Sequence, residues 1–251
     1  MKIEHIYIIS LDTSDEFVNS VVDKLNKSNL PNKTVYTIMP AINGINDIIH
    51  RDGVRKFGVS LYENWKLQNT DNEFWAREMS VGEIGCVLSH INVWKDAYKN
   101  GYDNVLILEE DFEPSEIKDN KLIWNILDEL NSFDGIFFGT KLQTGSENQE
   151  VGLNSFLKAG FVYNAHAYIL SKKGVCKIVE TNLNKLMDNL IPTDEFLPAT
   201  FTKHLRKDID GIFKTNMNVY VPKHEFDKFF SQNRHPQNNN STTNPVEGID
   251  Y

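Results

Sequence analysis

The chain has 251 residues, 40% hydrophobic and 24% charged, a balance that excludes disordered and fibrous classes for most of its length. Its formal net charge of −9 disfavours binding to nucleic acid or to an anionic membrane surface. Two cysteines argue against a disulfide framework, and no apolar run reaches the roughly 20 residues of a membrane span. We therefore expect a soluble cytoplasmic protein without membrane insertion and leave its oligomeric state open.

The start of the chain alternates between strand and helix signals. Ile3–Ile9 alternates and is β-branched, which predicts a strand. Thr13 and Glu16 have the spacing of a capping box before a helix, and Thr34–Met39 predicts a second strand. A β-α-β opening of this kind predicts two parallel strands joined by a right-handed crossover.

A weakly patterned region follows and then a strong helix signal. For residues 45–79 we expect a long loop with one short helix near Val59–Leu67, which would form a lid or a substrate wall. Ser80 and Glu83 have capping-box spacing, and the long amphipathic helix that they begin ends at Gly101.

The remaining elements continue the alternation of strands and helices. The predicted elements are an amphipathic helix over 120–130, strands Gly135–Phe138, Val162–Leu170 and Met217–Val221, a helix Lys173–Asn189 and a helical piece capped by Thr193. From Ser231 the composition changes to polar residues, so we expect one domain over 1–230 and a polar tail over 231–251. The pattern predicts an open α/β sheet, in which ligands bind at the carboxyl ends of strands.

Three acids follow a strand that should lie at the centre of that sheet. Val105–Leu108 is continuously apolar, and Glu109, Glu110 and Asp111 come directly after it. On ideal alternation Glu109 and Asp111 share a face and Glu110 points away. Oxygen ligands suit Mg²⁺ or Mn²⁺, which would also hold a substrate diphosphate. A solvated acidic turn is the alternative, and the residues alone leave both interpretations open.

Two long motifs resemble, in combination, glycosyltransferase family 25. Ser80–His90 reads SVGEIGCVLSH and Leu106–Asp111 reads LILEED, whereas the family joins a GEIGC–LSH helix to a strand that ends in Glu-Asp-Asp. Shorter similar segments are Ile6–Asp12, Ala41–Gly44, Tyr163, Tyr168–Gly174, Pro192–Pro198 and Val221–His224. The family contains procollagen hydroxylysine galactosyltransferases and bacterial lipooligosaccharide galactosyltransferases.

The resemblance implies a GT-A fold, a Rossmann-like α/β domain with a mixed, mostly parallel sheet, as the catalytic domain. It also implies metal-dependent, inverting transfer of a hexose, with galactose or glucose favoured, from a UDP-sugar to a hydroxyl of a protein or glycan acceptor. Asp111 is the first choice for the Mn²⁺ or Mg²⁺ ligand, and Glu109 would bind the metal through water or contact the ribose. His224 would add a nitrogen ligand that favours Mn²⁺, although a lone histidine is more often structural.

Inversion requires one base that takes the proton from the acceptor hydroxyl. Asp194 and Glu195 are the candidates, with Asp194 slightly ahead, and the other acid would hydrogen-bond sugar hydroxyls. The alternative is structural, because acids in the first turn of a helix interact favourably with its dipole.

The remaining candidates would surround the UDP-sugar donor. These donor-site candidates are Ser10, Leu11, Ala41, Asn43, Glu83, His90, Glu109, Glu110 and Lys141. Several have structural alternatives: Glu83 as the capping partner of Ser80, His90 as a core histidine and Lys141 as a solvated loop residue. Cys86 is interpreted as a small buried residue.

Two departures from the family pattern keep other functions open. The first turn, Leu11–Asp15, lacks the arginine common in the family, and Ser231–Tyr251 has no counterpart of the acidic segment of collagen-type members. A non-catalytic nucleotide-sugar-binding protein is therefore the alternative. A nucleotidyltransferase ranks lower, because Asp12–Glu16 has the wrong charge for a phosphate-binding loop. The Asn- and Lys-rich composition suits an AT-rich genome such as that of a giant virus, whose protein would lie in the host cytoplasm.

Overall fold

The computed structural model describes residues 2–28, 35–48, 51–114, 125–223 and 230–232. Its strands are β1 His5–Ser10, β2 Val35–Pro40, β3 Asn104–Glu109, β4 Phe112–Pro114, β5 Gly135–Phe137, β6 Lys141–Leu142, β7 Gln149–Glu150, β8 Phe156–Lys158, β9 Val162–Tyr163, β10 Ala167–Ser171, β11 Val219–Pro222 and β12 Phe230–Gln232. Its α-helices are α1 Asp15–Lys27, α2 Gly44–Asp47, α3 Val81–Asn100, α4 Lys172–Cys176, α5 Leu183–Asp188 and α6 Thr193–Ala199.

The main sheet has eight strands in the order β2-β1-β3-β10-β5-β11-β8-β7. All but β10 and β8 run in one direction, since the pairings β2-β1-β3 and β5-β11 are parallel and the others are antiparallel. The predicted α/β fold with a mixed, mostly parallel sheet is therefore confirmed. Two short ribbons, β4-β12 and β6-β9, lie outside this sheet.

The predicted β-α-β opening is confirmed, with a different cap on its helix. β1 and β2 pair in parallel from His5 opposite Val35 to Ser10 opposite Pro40. The N-cap of α1 is Ser14, whose side chain accepts the Phe17 N–H, so the predicted Thr13–Glu16 capping box is wrong. Ser14 directly precedes the helix in an extended conformation, which is the geometry that an N-cap requires.

The sheet separates two apolar layers. Side chains of β1 alternate between them: Ile6 and Ile8 pack in one layer, and Tyr7 and Ile9 pack in the other, together with α3. Residues 105–108 of β3 are fully buried, because this strand lies between β1 and β10 and is covered on both faces. The prediction of a central buried strand that ends in acids is confirmed.

Helix α3 has the predicted bounds. Ser80 and Glu83 form the capping box at its start, and Gly101, with φ of 70°, is its left-handed C-cap. The helix lies very close to the loop after β2: a Cβ on Gly85 would be 2.5 Å from the Ile42 carbonyl oxygen. The glycine of the motif thus allows the loop after β2 to contact the first turns of α3.

The predicted helix near Val59–Leu67 is wrong. The structure instead has a 3₁₀-helix over Arg51–Phe57, followed by turns. The backbone of the following segment bonds to a distant one: the Ser60 N–H donates to the Met187 carbonyl and the Tyr62 N–H to the Leu190 carbonyl. A segment whose donors are satisfied in this way has no need of helical hydrogen bonds.

Predictions in the second half of the chain are confirmed in part. The helix over Lys173–Asn189 is present as α4 and α5, joined by a π-helical turn over Lys177–Asn182. The single strand predicted over Val162–Leu170 is two strands, because Asn164 adopts φ of 75° between β9 and β10.

Other differences lie at element ends. Thr193 does not cap α6 with its side chain, and Pro192 occupies the N-cap position. The helix predicted over 120–130 falls mostly outside the described residues, and Leu127–Glu129 forms a 3₁₀ turn. Ser231 and Gln232, assigned to the tail, pair with β4, and the rest of the tail is outside the described ranges. No helix in the described ranges is long and apolar enough to cross a membrane.

Candidate active site

The carboxyl ends of β1, β2 and β3 lie side by side at one edge of the sheet. Ile9 of β1 is opposite Glu109 of β3, and the Ala41 N–H donates to the Ser10 carbonyl at 2.7 Å. Parallel strands therefore bring the predicted residues Ser10, Leu11, Ala41 and Glu109 to the same edge, which is where α/β proteins bind ligands.

Glu110 bridges two of these strand ends. Its Oε2 accepts a hydrogen bond from the Ser10 hydroxyl at 2.6 Å and another from the Leu11 N–H at 2.9 Å. Ser10 is buried, whereas Leu11 is 48% exposed. The carboxylate of Glu110 therefore orders the turn that follows β1, and it also supplies negative charge at the edge.

Glu109 faces helix α3. Its Oε1 lies 3.2 Å from His90 Nε2 and 3.8 Å from Cys86 Sγ. Burial raises the pKa of Glu109, but the hydrogen bond from His90 and the other favourable interactions of the carboxylate outweigh burial, so the pKa lies below its usual value. Glu109 is therefore ionised at neutral pH, although only 26% of its side chain is exposed.

A chain of buried hydrogen bonds leads to Glu109. The Trp94 indole N–H donates to the Tyr168 hydroxyl at 2.9 Å, and this hydroxyl lies 2.7 Å from His90 Nδ1. All donors are satisfied when Tyr168 donates to Nδ1 and His90 Nε2–H donates to Glu109. His90 is fully buried, so the expected direct contact with the donor is not supported and His90 acts on the site through Glu109.

Asp194 reaches the same region from α6. Its Oδ1 accepts the Ala165 N–H at 3.0 Å, and its side chain is half-buried. Burial, together with the negative charges of Glu109 and Glu195, raises the pKa of Asp194 to about 6. This carboxylate can therefore exchange a proton near neutral pH.

Glu195, the next residue, has a different environment. It is fully buried, and its Oε1 accepts hydrogen bonds from the Trp75 indole and the Tyr163 hydroxyl, both at 3.2 Å. Its Oε2 lies 2.8 Å from His204 Nε2. Because protein groups surround both oxygens, the geometry does not support the prediction that Glu195 is a base or a contact to sugar hydroxyls.

Three other predicted donor contacts have structural roles or lie apart. Glu83 completes the capping box with Ser80 and forms a two-point ion pair with Arg77, with both distances 2.8 Å. The Asn43 side chain caps α2. Lys141 is exposed on the ribbon strand β6, and within the described ranges it forms no hydrogen bond or ion pair with these carboxylates.

Sequence reasoning missed the groups that surround Glu195. Trp75 belongs to the weakly patterned region, and His204 lies in a stretch without a motif, so neither gave a signal in the sequence. Tyr163 matched a family segment but received no role. Burial and the charge of Glu195 raise the pKa of Tyr163, which therefore stays protonated and donates to Glu195.

The carboxylates suit a hard divalent ion by donor type. Among the described residues, no hydrogen bond occupies Oε2 of Glu109 or Oε1 of Glu110, and half-buried Asp111 follows them. Strand alternation predicted Glu109 and Asp111 on one face. β3 ends at Glu109, so that alternation does not reach Asp111. His224 lies outside the described residues.

An α/β sheet with carboxylates at the ends of its parallel strands is the arrangement of a GT-A fold. The chain belongs to glycosyltransferase family 25: the family described as "Glycosyltransferase family 25 (LPS biosynthesis protein)" matches residues 3–197. The resemblance inferred from the motifs is confirmed.

Individual relatives agree with this membership. The chain is 30% identical over 225 residues to a "Glycosyltransferase 25 family member" of Aedes aegypti, covering 87% of this chain and 34% of the relative. It is 27% identical over 173 residues to "Procollagen galactosyltransferase 1" of Danio rerio, covering 66% and 27%. It is 32% identical over 142 residues to "Probable inactive glycosyltransferase 25 family member 3" of Rattus norvegicus, covering 55% and 24%. The chain thus spans about a third or less of each relative's length.

Proposed function

We propose that the protein is a glycosyltransferase that moves a hexose, galactose or glucose, from a UDP-sugar to a hydroxyl of a protein or glycan acceptor, with inversion. Family membership supports the reaction class. The observation that carries the proposal is the half-buried Asp194, whose pKa of about 6 and position beside Glu109 suit a general base at the ligand-binding edge of the sheet.

The donor diphosphate would lie at the ends of β1, β2 and β3. Glu109, Glu110 and Asp111 make this edge negative, so a diphosphate would be repelled there without a cation. A bound Mn²⁺ or Mg²⁺ would supply that positive charge and stabilise the departing UDP, with Asp111 as its first ligand. Ser10, Leu11 and Ala41 are placed to contact the nucleotide through backbone groups.

The acceptor hydroxyl would approach Asp194. Its Oδ1 is oriented by the Ala165 N–H, and its negative charge is maintained at neutral pH because its pKa of about 6 lies below 7. Asp194 would take the hydroxyl proton as the oxygen attacks the anomeric carbon opposite the leaving UDP. A carboxylate with a raised pKa is a stronger base than an ordinary one.

The donor assignment is tested by thermal unfolding with UDP, UDP-galactose and UDP-glucose, each with and without Mn²⁺. A ligand that binds only the native state raises the melting temperature. We expect stabilisation by a UDP-sugar that requires Mn²⁺, and its loss in Asp111→Asn. Glu113→Gln is the matched control, because Glu113 pairs with Lys24 at 3.0 Å on β4 and should leave the stabilisation intact. Equal stabilisation in Asp111→Asn would contradict the metal assignment.

Turnover distinguishes transfer from binding alone. UDP release and product mass would be measured with a hydroxylysine-containing peptide and a panel of glycans as acceptors. Three relatives are named as inactive or probably inactive, which favours a non-catalytic nucleotide-sugar-binding protein as the second candidate. Metal-dependent UDP binding without transfer to any acceptor would support that second candidate.

A further inference from the structure

Cys86, His90 and Glu109 hold three different ligand types close together. Cys86 and His90 are four residues apart on α3 and therefore share a face of the helix, and Glu109 faces them from the end of β3. Their sulfur, nitrogen and oxygen ligand atoms all lie within 4.8 Å of one another. In the part of the chain that the structure describes, this is the one group of three or more such side chains with this property.

The distances within this group match a tetrahedral zinc site. Zinc–nitrogen and zinc–oxygen bonds of about 2.0 Å and a zinc–sulfur bond of about 2.3 Å separate tetrahedral ligands by about 3.3 Å for N···O and about 3.5 Å for S···O. His90 Nε2 lies 3.2 Å from Glu109 Oε1, and Cys86 Sγ lies 3.8 Å from the same oxygen. Both distances to Oε1 are therefore within a few tenths of an ångström of the tetrahedral values, and the sulfur and nitrogen atoms lie within 4.8 Å of each other.

We propose that Cys86, His90 and Glu109 bind one thiophilic divalent ion, Zn²⁺, with the fourth position open to water or to Asp194. A thiolate and an imidazole select zinc over Mg²⁺ or Mn²⁺, which prefer oxygen ligands. Cys86 is half-buried and Glu109 is 26% exposed, so an ion can enter from the ligand-binding edge.

Zinc binding requires the Cys86 sulfur and His90 Nε2 to lose their protons. The Cys86 thiol releases its proton to solvent, and the neutral His90 ring moves its proton from Nε2 to Nδ1. Nδ1–H then donates to the Tyr168 hydroxyl at 2.7 Å, the outer-shell contact that metal-bound histidines usually make. The Tyr168 hydroxyl loses His90 as an acceptor, which costs one hydrogen bond and limits the affinity.

The ion would occupy Glu109 and so compete with the oxygen-bound metal of the catalytic site. This consequence rests on the proposed function. The zinc site itself does not, because it can be measured on the protein without a donor or an acceptor.

Cobalt replaces zinc in such sites and gives a visible spectrum. We expect Co²⁺ to bind the reduced, full-length protein one to one, with a thiolate-to-cobalt charge-transfer band in the near ultraviolet, and Zn²⁺ to displace it. Cys86→Ser should lose this band, whereas the matched control Cys176→Ser should keep it.

Circular dichroism and thermal unfolding would show that each variant is folded. The substitution Glu109→Gln, at a partly exposed ligand, provides a second test. It should lower zinc affinity by at least about tenfold. Absence of the charge-transfer band in the unmodified protein, or its persistence in Cys86→Ser, would overturn the zinc site. Neither outcome affects the proposed transfer, which depends on Asp194 and UDP-sugar binding.

Discussion

Two neighbouring acids in the first turn of α6 have opposite environments. Asp194 is half-buried at the ligand-binding edge beside Glu109, whereas Glu195 is fully buried and bonded to Trp75 and Tyr163. Both acids were candidates for the base from the family resemblance, with Asp194 slightly ahead, and a favourable interaction with the helix dipole was the structural alternative for both. These environments favour Asp194 as the proposed base, whereas both oxygens of Glu195 lie against protein groups.

If Asp194 is the proposed general base, Asp194→Asn should lower kcat for hexose transfer by about 10²-fold or more. In the unmodified protein the rate should rise with pH through about 6 and then level off, because only the ionised carboxylate accepts a proton. The measurement is UDP release between pH 5 and 8. Asp188→Asn, at an exposed acid of α5, is the control.

Glu195→Gln provides the comparison for this profile. Residual activity in that variant should keep a step, moved to lower pH, because Asp194 remains and the negative charge of Glu195 no longer raises its pKa. A step that persists in Asp194→Asn, or a kcat near that of the unmodified protein, would show that another group is the base.

Asp194→Asn should also raise the melting temperature at pH 7. The pKa of Asp194 is raised by burial from 3.8 to about 6 in the folded protein, so folding favours the protonated form. Its contribution to stability is fully present below about pH 3.8 and is lost as pH rises through about 6. The uncharged Asn avoids this loss and can still accept the Ala165 N–H.

Calorimetry at several pH values measures this effect. The difference between Asp194→Asn and the unmodified protein should be largest at pH 7 and small at pH 4. A lower melting temperature for the variant at pH 7 would contradict the burial of a charged carboxylate at this position.

At the scale of elements, the contact between α2 and α3 aligns the motif helix with the strand ends. The Gly44 position is tightly enclosed, since a Cβ there would lie 1.9 Å from the Val81 carbonyl oxygen. The Ile42 N–H also donates to the Ser89 hydroxyl at 2.8 Å, which binds the loop after β2 to α3. These contacts hold Cys86 and His90 opposite Glu109.

Gly44→Ala should therefore lower the free energy of unfolding by about 1–3 kcal/mol, because backbone rather than a flexible side chain must move. Gly53→Ala is the control: its Cβ would meet its nearest neighbour at 3.9 Å, and the substitution should be neutral or slightly stabilising. Urea unfolding measures both. A neutral Gly44→Ala would show that the loop and α3 can separate without cost.

At the scale of the molecule, Arg206 joins segments far apart in the chain. Its guanidinium is buried and donates to the carbonyls of Trp65 at 2.5 Å and Asn64 at 2.6 Å. It also pairs with Asp208 at 2.7 Å and lies 5.2 Å from the centre of the Trp65 ring. The weakly patterned region includes Trp75, whose indole donates to Glu195. It is thus held by a residue about 140 positions later in the sequence.

Arg206→Ala should lower the free energy of unfolding by about 2–4 kcal/mol, since the buried Trp65 carbonyl loses its donor and the ring its cation. The amides of Ser60 and Tyr62, which donate to residues 187 and 190, should exchange with solvent faster. Hydrogen exchange and urea unfolding measure these effects.

Lys203→Ala, at a residue whose side chain is 82% exposed, should change the unfolding free energy by less than about 0.5 kcal/mol. Unchanged exchange at Ser60 and Tyr62 in Arg206→Ala would show that other contacts suffice to hold this region.

Local patterns in the sequence were enough to predict the β-α-β opening, helix α3 with its caps, the buried strand β3 and the acids at its end. Each depends on residues close together in the chain: alternation, helical period, a capping pair or a glycine at a helix end. The family motif could also be recognised from the sequence, because its residues lie in two short stretches, Ser80–His90 and Leu106–Asp111.

Contacts between distant residues set the rest. No helix forms around Trp65, because the N–H groups of Ser60 and Tyr62 donate to residues 187 and 190, and Arg206 donates to the carbonyls of residues 64 and 65. Similarly, His90 approaches Glu109 through the packing of α3 on β3, and Glu195 is buried because Trp75, Tyr163 and His204 converge on it. A charge's surroundings depend on which segments fold next to it, and no local pattern encodes that.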